Sequence, residues 1–559
     1  MKIVGINTGV TKNGMRLNDG GACLIDEKGI ICIAEERITR KKHDSGFEKS
    51  LKYCLDARGY NIDDIDYFIA STCCERPLHN FDDIGFGIPG HKTIAVPTHH
   101  YSHACSAYFS SPFSEAIVMV SDNEGNIIQD LGKENFYENI LEHMSYYIGI
   151  DNELKLIERD TVLPEQISVG DAYRYFTHYI GFPSYVYAGK TMGLAPYGNT
   201  ERYENVRIFE LVDGKIECLI KSDYFNCEKA LQNFFFENYN ITLPKPRKVI
   251  DEITQEYADL AFLIQKETER ILVEKIVYLV KKTGVKNLCI AGGVGLNSVA
   301  NEKLLKKVPL DNIYIVPAAG DSGQCFGNAL YGLHHIFKKK ERMSINNAYL
   351  GKVYSDDEIE FSINEFRKQI NEKFIFEKFN DYSSLNEVVA SKLFNGKIVA
   401  RFDGGSEFGP RALGNRSILM DPRKAENKDI LNKRVKFREA FRPFAPTVLL
   451  EHSKNYFELD RESPFMLLVA EVNKPLDIPA VTHVDGTARV QTLSKSQNAN
   501  YYSLIEKFFE LSGTPVLLNT SFNIDGEPIV ETPKDALNCF FSTEIDCLCI
   551  GNWFVEKLN

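Results

Sequence analysis

Asn287-Leu288-Cys289-Ile290-Ala291-Gly292-Gly293-Val294-Gly295-Leu296-Asn297 decides the fold class. A short apolar run ends in a glycine turn, and a helical pattern follows as far as Ala300. The same order returns at Ile313-Tyr314-Ile315-Val316-Pro317-Ala318-Ala319-Gly320-Asp321-Ser322-Gly323, with a second helical pattern to Ala329. Strand, turn and helix in alternation predict an α/β fold. Glycine lets the backbone approach a ligand closely, and the free N–H groups at the start of the next helix attract phosphate or another anion. Gly292, Gly293 and Asn297 are therefore candidate contacts. A third glycine-rich stretch, Gly189-Lys190-Thr191-Met192-Gly193-Leu194-Ala195-Pro196-Tyr197-Gly198, is read as a further turn, without P-loop spacing.

Working outward, residues 3–7 read as a buried strand closing in Thr8-Gly9. Residues 22–25 and 30–34 read as strands about a turn at Glu27-Lys28-Gly29, and residues 116–121 as another. Residues 252–282 carry Leu260, Leu263, Ile264, Ile271 and Leu272 at helical spacing. A polar stretch between about Lys340 and Glu360 places a boundary between domains 1–345 and 346–559. Beyond it, residues 397–402 and 516–519 are again strand-like. No internal repeat is legible.

The 559 residues carry a net charge of −12, with 44% hydrophobic and 25% charged residues, which is the balance of a globular protein in water. A nucleic-acid binder carries a basic face, so no nucleic-acid partner is expected. Thirteen cysteines contain no Cys-x-x-Cys pair, which excludes a disulfide framework and fits a reducing cytoplasm. The apolar run after Met1 is short for a signal peptide. No 18-residue apolar segment is present, so no membrane span is expected.

Thr98-His99-His100-Tyr101-Ser102-His103-Ala104 carries the first chemistry. On a helix His99 and His103 leave the same face one turn apart and can grip one metal ion. The strand at 116–121 runs into Asp122-Asn123-Glu124, and Asp321 follows the strand at 313–316. Imidazole nitrogens with carboxylate oxygens suit divalent iron, zinc or manganese. In the second half, Ser406 to Ser417 and Lys433 to Pro443 concentrate arginine and lysine in an acidic chain. Guanidinium forks match phosphate oxygens two at a time. His483-Val484-Asp485-Gly486-Thr487-Ala488-Arg489 and Asn519-Thr520-Ser521-Phe522-Asn523 add a further arginine with hydroxyl and amide donors.

Together these segments resemble the O-carbamoyltransferases of the NodU/CmcH family. The matching pieces are Glu36-Arg37-Ile38-Thr39-Arg40-Lys41-Lys42-His43, residues 99–104, 192–198, Gly292-Gly293, 407–417, 437–446, 483–489 and 519–523. The resemblance implies an N-terminal domain of the actin-like and sugar-kinase-like ATPase superfamily and a C-terminal YrdC-like domain. It implies ATP and carbamoyl phosphate as co-substrates, Fe(II) at His99, His103, Asp122 and Asp321, and Mg(II) accompanying ATP. Arg411, Lys436, Arg442, Arg489, Asn519 and Ser521 carry the family's carbamoyl phosphate and ATP contacts, with Asp122, Asn123 and Glu124 as further candidates in the first domain. Asp19, Lys42 and His43 lie where the family lines its acceptor and are the candidate catalytic residues. Members commonly have His-Asp after the first strand, where this chain has Asn18-Asp19. The expected partner is a small hydroxyl-bearing acceptor, an antibiotic, other natural product or sugar, and the expected assembly a monomer or homodimer. Two readings stay open beside it: a tRNA threonylcarbamoyl transferase and a non-catalytic nucleotide sensor.

Overall fold

A computed structural model describes every residue except 12–16, 18, 78–84, 130, 133–138, 163–165, 200, 222–225, 369–373 and 559. Asn18 therefore lies outside the described residues. The chain divides into two compact units, Met1–Gly29 with Ser45–Ile345, and Ile30–Asp44 with Asn346–Asn559. Both are mixed α/β, the class expected.

In the first unit, strand Ile3–Asn7 pairs antiparallel with Gly21–Asp26 and parallel with Tyr67–Ser71, which pairs parallel with Thr93–Ala95. A second sheet repeats this plan. Strand Glu115–Ser121 pairs antiparallel with Ile140–Ile150 and parallel with Asn287–Ala291, which pairs parallel with Asn312–Ile315. The sequence carries no legible repeat, yet the two sheets share one plan. The repeat is one of strand order, and strand pairing is non-local, so it leaves no periodic mark on the residues.

Helix Gln255–Thr283 buries Leu260, Leu263, Ile264, Ile271 and Leu272, the face its spacing predicts. Each such side chain contributes about 2 kcal/mol. The reading of residues 189–198 as a glycine turn is corrected, because Ala188–Leu194 is helical. A Cβ on Gly198 would stand 2.2 Å from the Ala258 carbonyl oxygen, so this glycine serves close packing against the long helix.

The second unit is built on a mixed sheet containing Cys547–Ile550, Val399–Phe402, Arg416–Met420, Val516–Ser521 and Ala445–Leu449 in that order. Side chains alternate between its faces. Ala400, Ile418, Leu518, Leu548 and Ile550 join one apolar cluster. Val399, Leu419, Leu517, Cys547 and Cys549 join the other, against helices Tyr382–Phe394 and Ala499–Ser512. Segment Ile30–Asp44 is fastened to this unit by arginine. Arg37 donates to the carbonyls of Gly409 at 2.7 Å and Glu407 at 3.3 Å, and Arg40 to those of Pro528 and Ile529 at 2.7 Å each. None of the thirteen cysteines is in a disulfide, and among the described residues no helix is long and apolar enough to cross a membrane.

Gly327, on helix Gln324–Tyr331, lets that helix lie on the one carrying His99 and His103; an added Cβ would sit 2.1 Å from the Ser102 carbonyl oxygen. Alanine gains about 1 kcal/mol of helix propensity, but overpacking of this kind costs about 1–3 kcal/mol. Gly327→Ala is therefore expected to lower the denaturant midpoint, and an unchanged or raised midpoint would show that the helices can part at no cost.

Candidate functional site

The first site is assembled by three local devices. Thr98 caps helix His99–Phe109 by accepting from the Tyr101 N–H at 3.2 Å, which puts His99 in the first turn and His103 one turn on. Gln324 holds that turn from the neighbouring helix, its Nε2 donating to the His99 carbonyl at 3.1 Å. Strand Glu115–Ser121 ends at Asp122, whose Oδ1 accepts from the N–H groups of Asn123 at 2.9 Å and Gly293 at 3.3 Å. Gly292 has φ +87°, and a Cβ there would lie 2.1 Å from the Ser121 carbonyl oxygen, so only glycine fits the turn. Its N–H donates to Ala319 O at 2.8 Å, tying the two glycine turns together.

One ligand atom from each of His99, His103, Asp122 and Asp321 lies within 4.8 Å of the others. His103 Nε2 stands 3.0 Å from Asp122 Oδ2 and 3.2 Å from Asp321 Oδ1, and His99 Nε2 stands 3.4 and 3.2 Å from the same oxygens. Burial disfavours the charged form of every member. At His99 it is outweighed by Cys73, Asp321 and Asp122, and at His103 by the hydrogen bonds to Asp122 and Asp321, so both imidazole pKa values are raised. Burial also works against the Asp122 carboxylate, which the two histidines hold well below the usual range, and Asp321 is lowered too. One buried carboxylate, Asp122, and one half-buried, Asp321, facing two buried imidazoles, with His99 Nε2 lacking a hydrogen-bond partner among the described residues, fit a divalent cation.

The other first-unit candidates are largely engaged by the fold. Gly293 turns its N–H to Asp122. Asn297 caps helix Ser298–Lys307 and exchanges amide hydrogen bonds with Gln265. Asn123 accepts at its carbonyl from His143 Nδ1, and the Glu124 carboxylate from the Cys74 thiol at 3.6 Å. Asp19 has φ +62°, and its carbonyl accepts from Asn7 Nδ2 at 2.8 Å; the same amide donates to the Asp321 carbonyl at 2.9 Å. Asn7, unnoticed in the sequence, is thus the link between Asp19 and Asp321, and its place at the end of the first strand was the available signal.

The second site gathers cations. Lys436 is buried, and Nζ donates to Asn523 Oδ1 at 2.9 Å, the Asn523 carbonyl at 3.0 Å, Ser521 Oγ at 3.3 Å and the Ser521 carbonyl. Burial, then Arg438, Arg442 and Lys42, push its pKa down. Arg411 falls to about 10 through burial and Arg442, and Arg438 to about 9 for the same reasons. Arg489 is lowered by burial and then by Arg411, Arg438 and Arg442. Arg442 has Glu439 at 3.8 Å. Among the described residues the guanidinium of neither Arg411 nor Arg489 has a carboxylate or hydrogen-bond partner, and the Nε of each is buried. Arg438, inside the basic run yet not singled out there, belongs to this cluster. Asn519 uses its amide hydrogens within the core, donating to Thr447 Oγ1 at 3.0 Å and Gln491 Oε1 at 3.1 Å, while its Oδ1 is buried without a hydrogen-bond partner among the described residues. Lys42 is exposed, and the His43 N–H donates to Glu36 Oε2 at 2.8 Å.

Glu407 holds the loop that carries Arg411. Its Oε1 accepts the N–H groups of Leu413 and Asn415 at 2.8 Å and Arg416 at 3.2 Å. Gly414 within that loop has φ +122°, and a Cβ would lie 2.3 Å from the Tyr501 ring.

Two family models match the chain: Carbamoyltransferase N-terminus over residues 6–79 and 89–330, and Carbamoyltransferase C-terminus over 390–557. The chain belongs to the carbamoyltransferase family. It is an enzyme of that family. Nodulation protein NolNO of Sinorhizobium fredii is 32% identical over 97% of this carbamoyltransferase and 79% of its own length. Nodulation protein NolO of Bradyrhizobium diazoefficiens is 34% identical over 82% and 78%. The 3'-hydroxymethylcephem-O-carbamoyltransferase of Streptomyces clavuligerus is 30% identical over 48% and 49%.

Glu407→Gln keeps an acceptor but removes the charge from three buried hydrogen bonds. The expected cost is about 2 kcal/mol, read from denaturant unfolding followed in the C-terminal unit, and wild-type stability would remove Glu407 as the loop's anchor.

Proposed function

We propose that this carbamoyltransferase activates carbamoyl phosphate with ATP in its C-terminal, YrdC-like unit and delivers the carbamoyl group to an acceptor hydroxyl at its N-terminal, actin-like unit. The observation that carries the reading is the guanidinium cluster. Arg411 and Arg489 are desolvated, close to like charges and without a counter-charge, a state that a polyanion relieves.

The first stage balances as carbamoyl phosphate, ATP and one water giving carbamoyl-adenylate, orthophosphate and pyrophosphate. Arg411, Arg438, Arg442 and Arg489 bind the phosphoryl oxygens and meet negative charge as it moves from the acyl phosphate to the departing pyrophosphate. Lys436 adds a point charge whose position is fixed by Ser521 and Asn523. In the second stage the acceptor oxygen attacks the carbamoyl carbon, the C–O bond to AMP breaks and the acceptor loses its proton. Asp19 is the proposed proton acceptor, because Asn7 ties its loop to Asp321. Lys42 and His43 are assigned no step. A divalent ion, Fe(II) in this proposal, would be held by His99, His103, Asp122 and Asp321 and would supply Lewis-acid polarisation. The acceptor is proposed to be a small sugar or natural product. The relative named for O-carbamoylation of a hydroxymethylcephem supports a hydroxyl nucleophile.

His103→Ala is expected to empty the metal site, taking the ion from one per chain to none by emission spectrometry after dialysis. It is also expected to abolish transfer while sparing carbamoyl-phosphate-dependent pyrophosphate release, and full metal content would defeat the ligand assignment. Arg411→Lys cannot reproduce two parallel hydrogen bonds. It is expected to lose at least about 2 kcal/mol, roughly 30-fold in kcat/KM for pyrophosphate release, whereas near wild-type release would count against the phosphate cradle.

A further inference from the structure

Residues 483–487 form a tight turn in which His483 N–H donates to the Thr487 carbonyl at 2.8 Å and Gly486 N–H to the His483 carbonyl at 3.0 Å. Thr487 Oγ1 lies 2.7 Å from Asp485 Oδ1 and 3.1 Å from His483 Nδ1. A hydroxyl has one proton to give, and a carboxylate can only accept. The Thr487 proton therefore points to Asp485, and toward His483 the same oxygen accepts. Nδ1 of His483 must then carry the ring's hydrogen. In the neutral imidazole this leaves Nε2 as a bare acceptor.

That nitrogen is buried and has no hydrogen-bond partner among the described residues. Burial is the main reason why the ring's pKa falls to about 4; Asp485 opposes, and Arg489 and Lys428 add to the fall. The ring is thus neutral near pH 7. It belongs to the cationic cluster, because Arg489, whose charge acts on it, is itself acted on by Arg411, Arg438 and Arg442. Arginine and lysine side chains offer donors only. They can serve a phosphate and a carbonyl oxygen, but not an amine hydrogen.

Resting on the carbamoyl phosphate reading above, we propose that His483 Nε2 accepts a hydrogen bond from the carbamoyl –NH2 and is the residue that selects carbamoyl phosphate over acyl phosphates lacking it. Acetyl phosphate offers the same phosphate and carbonyl but puts a methyl group against Nε2, leaving a buried acceptor unpaired. A site built around such a bond rejects the analogue strongly. His483 is not a ligand of the metal site, and Thr487 and Asp485 act through it by fixing its tautomer.

The test compares kcat/KM for pyrophosphate release with carbamoyl phosphate and with acetyl phosphate, at saturating ATP, for wild type, His483→Phe and His483→Gln. The wild-type preference for carbamoyl phosphate is expected to exceed about 100-fold. His483→Phe, which keeps a flat ring without an acceptor, is expected to lower that ratio at least tenfold with the KM for ATP unmoved. His483→Gln, whose amide oxygen can accept, is expected to recover most of it, and it answers the question alone if the Phe variant fails to fold. An unchanged ratio in both variants, or equal losses on both acyl phosphates without recovery in Gln, overturns the role of His483 and leaves the activation reading standing. Absence of carbamoyl-phosphate-dependent pyrophosphate release in the wild type overturns both.

Discussion

Like charges brought together without their counter-charges are what the C-terminal unit has to support. Two unit charges about 6 Å apart at an effective dielectric near 20 repel by roughly 3 kcal/mol. Arg442 acts on Arg411 and Arg438, and all three act on Arg489, so the fold must hold them against that repulsion. It does so through the backbone more than through side-chain pairing. Glu407 accepts three loop N–H groups behind Arg411, those of Leu413, Asn415 and Arg416, and Arg37 reaches the Glu407 and Gly409 carbonyls from a segment about 370 residues earlier. Lys436 is fixed by the Ser521 and Asn523 oxygens. The two apolar faces of the sheet supply the burial from which these anchors are set.

The N-terminal unit solves the converse problem. Asp122 and Asp321 approach the same pair of histidines, and their charge is balanced partly by the imidazoles. The glycine turns serve that arrangement directly: Gly293 gives its N–H to Asp122, and Gly292 permits the contact with Ser121. Glycine here brings backbone to a carboxylate. A turn that reads as a phosphate cradle in isolation is, in this unit, also the support of a metal-type site.

Local signals in the residues were enough for the apolar strands and the long helix, though not for the glycine-rich helix Ala188–Leu194. Residues 3–7 form a strand at the bounds read, and residues 252–282 a helix close to them, because unbroken apolar runs and a 3.6-residue spacing are properties of a single segment. The four clustered ligand candidates were legible for the same reason, two being one helical turn apart and two following strands. What escaped was non-local. The duplicated strand order depends on which segments pair, from Ile3 with Tyr67 in one sheet to Met119 with Ile290 in the other. The allegiance of Ile30–Asp44 depends on two arginines finding distant carbonyls. Asn297 and Asn519 read as ligand donors, yet their amides are engaged by Gln265, Thr447 and Gln491, partners that only the folded chain brings near.

The depressed pKa values of the cationic cluster tie stability to ligand. A base whose folded pKa lies below its unfolded value binds fewer protons when folded, so stability rises with pH between the two values. For Arg438 and Arg411 that window opens at about 9 and about 10 and closes near the ordinary arginine value. Below it, at neutral pH, the whole cost is present and no physiological change of pH relieves it. An anion does: by pairing with the guanidiniums it raises their pKa values again, and whatever binds the folded state alone stabilises it. His483 marks where that compensation stops being purely electrostatic. A neutral ring with a bare nitrogen contributes little to phosphate binding, and its presence among donors is explained by a ligand that brings a hydrogen of its own.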